Sequence, residues 1–210
     1  MSKEKNILVS GANGTTGRII IDLLKKSETY NPIAMVRNQD QKDHFEKQNI
    51  ATIVADLEEN LSHVMKNINK VIFAAGSKGK NIIGVDQEGA KRLIDAAKEA
   101  GIEKFVMLSS IGADDPSKSD VLVDYLFAKQ NADEYLIASG LDYTIVRPGS
   151  LTDTEGTGKI ELKEKLDSPG SITRTDVAQT LVQALEDDLK KNQVFEIIAG
   201  EVLIAKALQS

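Results

Sequence analysis

Seven residues near the start of the chain, Gly11-Ala12-Asn13-Gly14-Thr15-Thr16-Gly17, constrain its fold more than any others. They follow the apolar run Asn6-Ile7-Leu8-Val9-Ser10, which has the length and composition of a buried strand. They precede Arg18-Ile19-Ile20-Ile21-Asp22-Leu23-Leu24, in which Ile19, Ile20, Leu23 and Leu24 share one helical face. Glycines between a strand and a helix permit a sharp turn and a close approach of backbone to a ligand. The free N–H groups of the helix's first turn then face an anion placed there. This order predicts a pyrophosphate site walled by Gly11, Asn13, Gly14, Thr15, Thr16 and Gly17. The spacing is G-x-x-G-x-x-G rather than the commoner G-x-G-x-x-G, and a ligand-free glycine turn is the competing reading.

Downstream, strand-like and helix-like segments alternate with short connections, which predicts a parallel sheet with helices on both faces. Strands are expected at 32–37, 51–55, 71–75, 104–108 and 141–146. Helices are expected at 41–48, at 84–100, and from the capping-box-like Ser117-x-x-Asp120 to about 139, with Gly101 and Gly140 as stops. After Gly149 the alternation loosens. A hairpin strand near 159–162, a helix capped by Thr173-x-x-Asp176, a last strand at 194–198 and a helical tail from Val202 are expected there. The class is α/β, a Rossmann-like doubly wound sheet. At 210 residues one domain over 1–210 is expected, with a small substrate-covering lobe from about 150.

Composition narrows the functions. A net charge of −6 gives no basic face for nucleic acid. No apolar run approaches the roughly 18 residues of a membrane span. The polar start Met1-Ser2-Lys3-Glu4-Lys5 fits no signal peptide, so a cytoplasmic protein is expected. The absence of cysteine excludes disulfides, thiolate chemistry and zinc–cysteine sites. His44 and His63 stand alone on polar stretches, so no metal is expected.

The end of the second strand selects among dinucleotides. An acidic residue about twenty positions past the glycine turn would receive the adenosine ribose hydroxyls. Here stand Arg37-Asn38, and an arginine fork matches a 2′-phosphate. NADP(H) is therefore expected in preference to NAD(H), with a solvent-facing arginine as the alternative. Asp56, with Leu57 beside it, is placed to meet the adenine. Ala74, Ala75 and Gly76 are small enough for a ribose-phosphate to pass over the fourth strand.

A catalytic set is suggested further on. Tyr125 and Lys129, four apart, share a helical face with Val121, Leu122, Ala132 and Leu136. A lysine inside that apolar arc must either snorkel to an edge or meet a polar group, and the cofactor ribose is a candidate. The lysine charge would then favour loss of the tyrosine proton. Ser109 or Ser110, ending the fifth strand, would hydrogen-bond a small-molecule carbonyl beside the phenol. On the opposite face Val123 and Phe127 hint at a homodimer contact or a closing lid.

Together the glycine turn, the strand-end serines, Tyr125-x-x-x-Lys129 and Ser139-Gly140-Leu141-Asp142-Tyr143-Thr144-Ile145-Val146-Arg147-Pro148-Gly149 resemble the short-chain dehydrogenase/reductase superfamily. More narrowly, the chain is similar to its atypical branch of small NAD(P)H-binding proteins, of sugar-epimerase-like or NmrA-like type. The similarity runs through Ile172-Thr173-Arg174-Thr175-Asp176-Val177-Ala178. The resemblance implies that the glycines hold the pyrophosphate, Arg37 the 2′-phosphate and Lys129 the nicotinamide ribose. It places Pro148-Gly149-Ser150 beside the nicotinamide, makes Tyr125 the acid/base, and makes Ser109 or Ser110 its partner. One departure matters: the superfamily's catalytic asparagine is replaced by Asp86. Three functions follow as expectations. One is an NADP-dependent oxidoreductase or epimerase acting on a small carbonyl or hydroxyl compound; another is a non-catalytic NADP-binding sensor. The third is a flavin- or biliverdin-type reductase that needs no tyrosine.

Overall fold

The computed structural model describes residues 5–210, so the polar start at 1–4 lies outside the described residues. The elements run β1 (Lys5–Ser10), α1 (Thr15–Lys25), β2 (Tyr30–Val36), α2 (Gln39–Glu46), β3 (Ala51–Val54), β4 (Lys70–Phe73) and α3 (Glu88–Glu99). They continue through β5 (Lys104–Leu108), α4 (Val123–Ala138), β6 (Tyr143–Pro148), β7 (Ser150–Thr152), β8 (Lys159–Lys163) and β9 (Ser171–Thr173). The chain closes with α5 (Arg174–Gln183), β10 (Gln193–Ala199), β11 (Val202–Leu203) and α6 (Ile204–Gln209). Nine strands form one sheet in the order β11-β8-β10-β6-β5-β4-β1-β2-β3. From β3 to β6, and on to β10, neighbours pair in parallel; β8 runs antiparallel to β10 and β11. The order reverses between β1 and β4, where ligands bind in open α/β sheets.

The central strands read as continuous apolar runs because both of their faces are buried. Ile7 and Val9 of β1, Ile72 of β4 and Val106 of β5 face one core, shared with α1, α2, α5 and α6. Leu8, Val71, Phe73, Phe105 and Met107 face the other, shared with α3 and α4. The result is three layers with helices on both sides of the sheet.

The structure revises several local expectations. On α1 the fully buried side chains are Ile20, Ile21 and Leu24, while Ile19 and Leu23 pack at the margin. The helix expected from residue 84 begins as a π-helical stretch, Ile82–Gln87, before continuing as α3. Ser117 does not cap α4: its hydroxyl donates to Asp115, and a 3-10 turn, Pro116–Lys118, intervenes. Val121 and Leu122 precede α4 and are exposed; the buried face carries Leu126, Ala128, Lys129, Ala132, Asp133 and Leu136. Thr173 does cap α5, its hydroxyl accepting from the Asp176 N–H at 3.0 Å. Of the segment after Gly149, β8, β10 and β11 extend the main sheet. The part standing off it is the two-stranded parallel ribbon β7–β9 with its loops.

Candidate functional site

The glycine turn sits at the reversal point. Gly11 adopts φ +82°, and a Cβ there would lie 2.6 Å from the Ala74 carbonyl carbon at the end of β4. Gly17 lies against the turn itself, since its Cβ would meet Gly11 O at 2.1 Å. Gly14 caps α1 without any side-chain hydrogen bond, and its Cβ would touch only Gly11 O, at 3.1 Å. Its N–H donates to Gly11 O (2.9 Å) and Arg18 N–H to Gly14 O (3.0 Å), leaving the intervening N–H groups of Thr15, Thr16 and Gly17 to face outward from the helix end. Asn13 is braced by Arg18, whose Nη2 donates to its Oδ1 at 2.7 Å.

On the adenosine side, Arg37 is exposed at the end of β2, and no carboxylate pairs with it among the described residues. Asn38 serves as the cap of α2, accepting from Gln41 N–H at 3.0 Å. Asp56 is half-buried and accepts from Glu58 N–H at 3.0 Å. Leu57 is buried and offers its carbonyl to Arg92 (2.9 Å). Ala74 and Ala75 are half-buried and Gly76 is exposed, which leaves the floor over β4 low and open.

On the opposite side of the reversal point, Lys129 does not snorkel. It is 3% exposed, and its Nζ donates to Leu108 O at 3.2 Å. The ammonium stands 5.6 Å from the centre of the Tyr125 ring and 5.9 Å from that of Phe73. Tyr125 is half-buried. Asp86, fully buried in the π-helical stretch, accepts from Ser77 N–H at 3.0 Å, and its Oδ1 lies 3.3 Å from where a Gly76 Cβ would stand. Pro148 is buried at the end of β6, and its carbonyl accepts from Ile111 N–H (3.0 Å). Gly149 is half-buried, and a Cβ there would meet Gly170 O at 2.3 Å. Ser150 begins β7 and is exposed.

The two serines separate in role. Ser109 is buried and donates to Asp133 Oδ2 at 2.8 Å, whereas Ser110 is half-buried and meets only the Ile111 carbonyl at 3.2 Å. Asp133 and its partner Arg147 were not singled out as site residues from the sequence. Arg147 reaches Asp133 Oδ2 through Nε (3.0 Å) and Nη2 (2.9 Å). Burial pushes the Asp133 carboxyl above the ordinary range, against the opposing pull of Arg147 and the Ser109 hydrogen bond. The available signal was the continued spacing of four, Tyr125, Lys129, Asp133, down one helical face.

These residues fit a nicotinamide dinucleotide on observations of the chain itself. The glycine cradle leaves backbone donors free at a helix N-terminus. Two buried hydroxyls, Ser10 Oγ at the end of β1 and Ser77 Oγ past the end of β4, lack a partner among the described residues. Fold and site thus define a Rossmann-type dinucleotide-binding protein. The chain belongs to the NAD(P)H-binding family, whose profile matches residues 11–188. It is 36% identical to a Bacillus subtilis protein named as an uncharacterized sugar epimerase, YhfK, over 97% of this chain and 98% of that one. A solved Bacillus halodurans structure, provisionally assigned as an NAD-dependent epimerase/dehydratase, superposes with a TM-score of 0.93 at 38% identity, covering 98% of this chain and 99% of the other. Sanguinarine reductase of Eschscholzia californica is 27% identical over 93% of this chain and 89% of its own length. No helix among the described residues is long and apolar enough to cross a membrane.

Proposed function

We propose that this protein is an NADP(H)-dependent oxidoreductase or epimerase of the atypical short-chain dehydrogenase/reductase type, acting on a small carbonyl or hydroxyl compound. The observation that carries the reading is the buried Lys129 ammonium held beside the Tyr125 ring at the end of β5, in the same row of strand ends as the glycine cradle. In this reading the Thr15, Thr16 and Gly17 N–H groups hold the pyrophosphate and Arg37 grips the 2′-phosphate. Lys129 binds the nicotinamide ribose, and Pro148, Gly149 and Ser150 flank the nicotinamide. When bound, the cofactor supplies hydride chemistry. Tyr125 moves the proton at the substrate oxygen, and a positioned phenol of this kind contributes about 10²- to 10⁴-fold. The relatives named as a sugar epimerase and as sanguinarine reductase are compatible with either outcome of that chemistry.

Titration with NADPH and NADH, followed by nicotinamide fluorescence, tests the cofactor half. NADPH is expected to bind more tightly than NADH. Arg37→Ala should weaken NADPH by roughly 10-fold or more, as for a charge-assisted hydrogen-bonded contact, while leaving NADH unchanged. Equal affinities in the wild type would remove Arg37 from the site. One observation favours the sensor reading: the Asp86 carboxylate is already engaged by Ser77 N–H, where the superfamily's relay uses an asparagine. Tight NADPH binding with neither NADPH oxidation by aldehydes, ketones, quinones or flavins nor epimerisation across a panel of sugars would decide for that reading.

A further inference from the structure

Two rungs join α4 to the end of β5. Lys129 Nζ donates to Leu108 O at 3.2 Å, and one helical turn further on Asp133 Oδ2 accepts from the Ser109 hydroxyl at 2.8 Å. Consecutive strand residues thus meet helix residues four apart, so sliding the helix by one position breaks both rungs together. From β6, Arg147 adds one hydrogen bond to the same Asp133 oxygen, from Nε at 3.0 Å, and an ion-pair contact from Nη2 at 2.9 Å. All three contacts converge on Oδ2, while Oδ1 is buried without a partner among the described residues. Burying a carboxylate with one oxygen unsatisfied is costly, and apolar side chains fill such a place at less expense. The cluster therefore contributes something packing alone does not: a directional lock on α4. Both serine protons are engaged, that of Ser109 by Asp133 and that of Ser110 by the Ile111 carbonyl.

We propose that Asp133 is a positioning residue: held by Ser109 and Arg147, it sets α4 against β5 so that Lys129 meets the nicotinamide ribose. This rests on the preceding reading of Lys129 as the ribose ligand.

A double-mutant cycle on NADPH affinity tests it. Ser109→Ala removes one rung without stranding a buried charge, and Lys129→Met removes the group being positioned. Ser109→Ala is expected to weaken NADPH binding about 3- to 10-fold in the wild-type background, the scale of one lost hydrogen bond, but by less than about 1.5-fold in Lys129→Met. Ser110→Ala should leave NADPH affinity unchanged in both backgrounds. Asp133→Asn, which keeps the shape, should weaken NADPH at least as much as Ser109→Ala, and Asp133→Glu should recover less than full affinity. A Ser109→Ala effect that is absent, or equal in the two backgrounds, overturns the proposal while leaving the cofactor reading intact. A wild-type protein that binds no NADPH, or a Lys129→Met variant that binds like wild type, overturns the reading of the site and the proposal with it.

Discussion

Single glycines set the limits of the cradle, and two of them do so in different ways. A methyl group on Gly17 would be driven into the Gly11 carbonyl at 2.1 Å, a backbone atom that cannot swing aside. A methyl group on Gly14 meets that carbonyl only at 3.1 Å, and Gly14 has φ −73°, open to any residue. Gly17→Ala should therefore destabilise the fold by about 2–3 kcal/mol, in the range of overpacked or strained substitutions. Gly14→Ala should cost less, about 0.5–1 kcal/mol, since its methyl presses that carbonyl by only a few tenths of an ångström and alanine is the poorer N-cap, yet weaken NADPH binding by placing the methyl where the pyrophosphate must approach. Thermal melts beside fluorescence titrations separate the two effects. Wild-type affinity in Gly14→Ala would mean that no ligand lies against that residue.

Whole elements are tied together at the opposite edge of the sheet. Lys70 and Lys104 begin β4 and β5, are in register, and are both fully buried. Their ammonium groups reach the carbonyls that follow α5, Lys70 at Leu185 O and Lys104 at Glu186 O (2.6 Å) and Leu189 O (2.7 Å). Cations at a helix C-terminus complement its dipole and its free carbonyls. Asp187 completes the group by pairing with Lys70 and Lys5. Burial, with the neighbouring Lys70 charge, lowers the Lys104 ammonium to about 8 from 10.5. Between those values the unfolded chain keeps a proton that the folded one has lost, so this group makes stability rise with pH, by on the order of 3 kcal/mol across the window. Lys104→Met should abolish that rise. Urea unfolding at pH 8 and pH 10 measures it, and parallel slopes in the two proteins would contradict the assignment. None of this was legible in the sequence, where a lysine opening a strand reads as a polar boundary. The strands were legible because strands buried on both faces must be apolar, which leaves an unmistakable run. Element starts were harder. The π-helical turn at Ile82–Gln87 has a helical pattern, and Ser117 offers a capping signature that its neighbour Asp115 takes instead. Strands β7 and β9, three residues each, are too short for periodicity. The positions of the glycine turn, of Arg37 at the end of β2 and of Tyr125 and Lys129 on one helix were legible because turn chemistry and helical spacing act locally. Asp133 could not, since an aspartate on a helix looks solvated until Arg147, on a different element, is seen to hold it.

The molecule as a whole separates its tasks by sheet edge. The lysine cluster closes the amino ends of the central strands, and the cofactor reading places every ligand group at their carboxyl ends. Binding there bridges β1, β2, β4 and β6 with α1 and α4, so the free energy of binding adds to that of the fold. At about 100 times its dissociation constant a ligand specific for the native state contributes about 2.7 kcal/mol. For a domain of this size, each kcal/mol raises the melting temperature by about 2–4 °C, so NADPH should raise it by about 5–10 °C. Because linkage depends only on affinity, Arg37→Ala should lose about half or more of the NADPH shift at the same concentration and keep the NADH shift of the wild type. Lys104→Met, remote from the site, should start from a different melting temperature and show the full NADPH shift. Scanning fluorimetry over a cofactor series reads all three proteins. A shift that survives intact in Arg37→Ala would place the 2′-phosphate elsewhere, and no shift with either nucleotide in the wild type would sink the cofactor assignment for this chain.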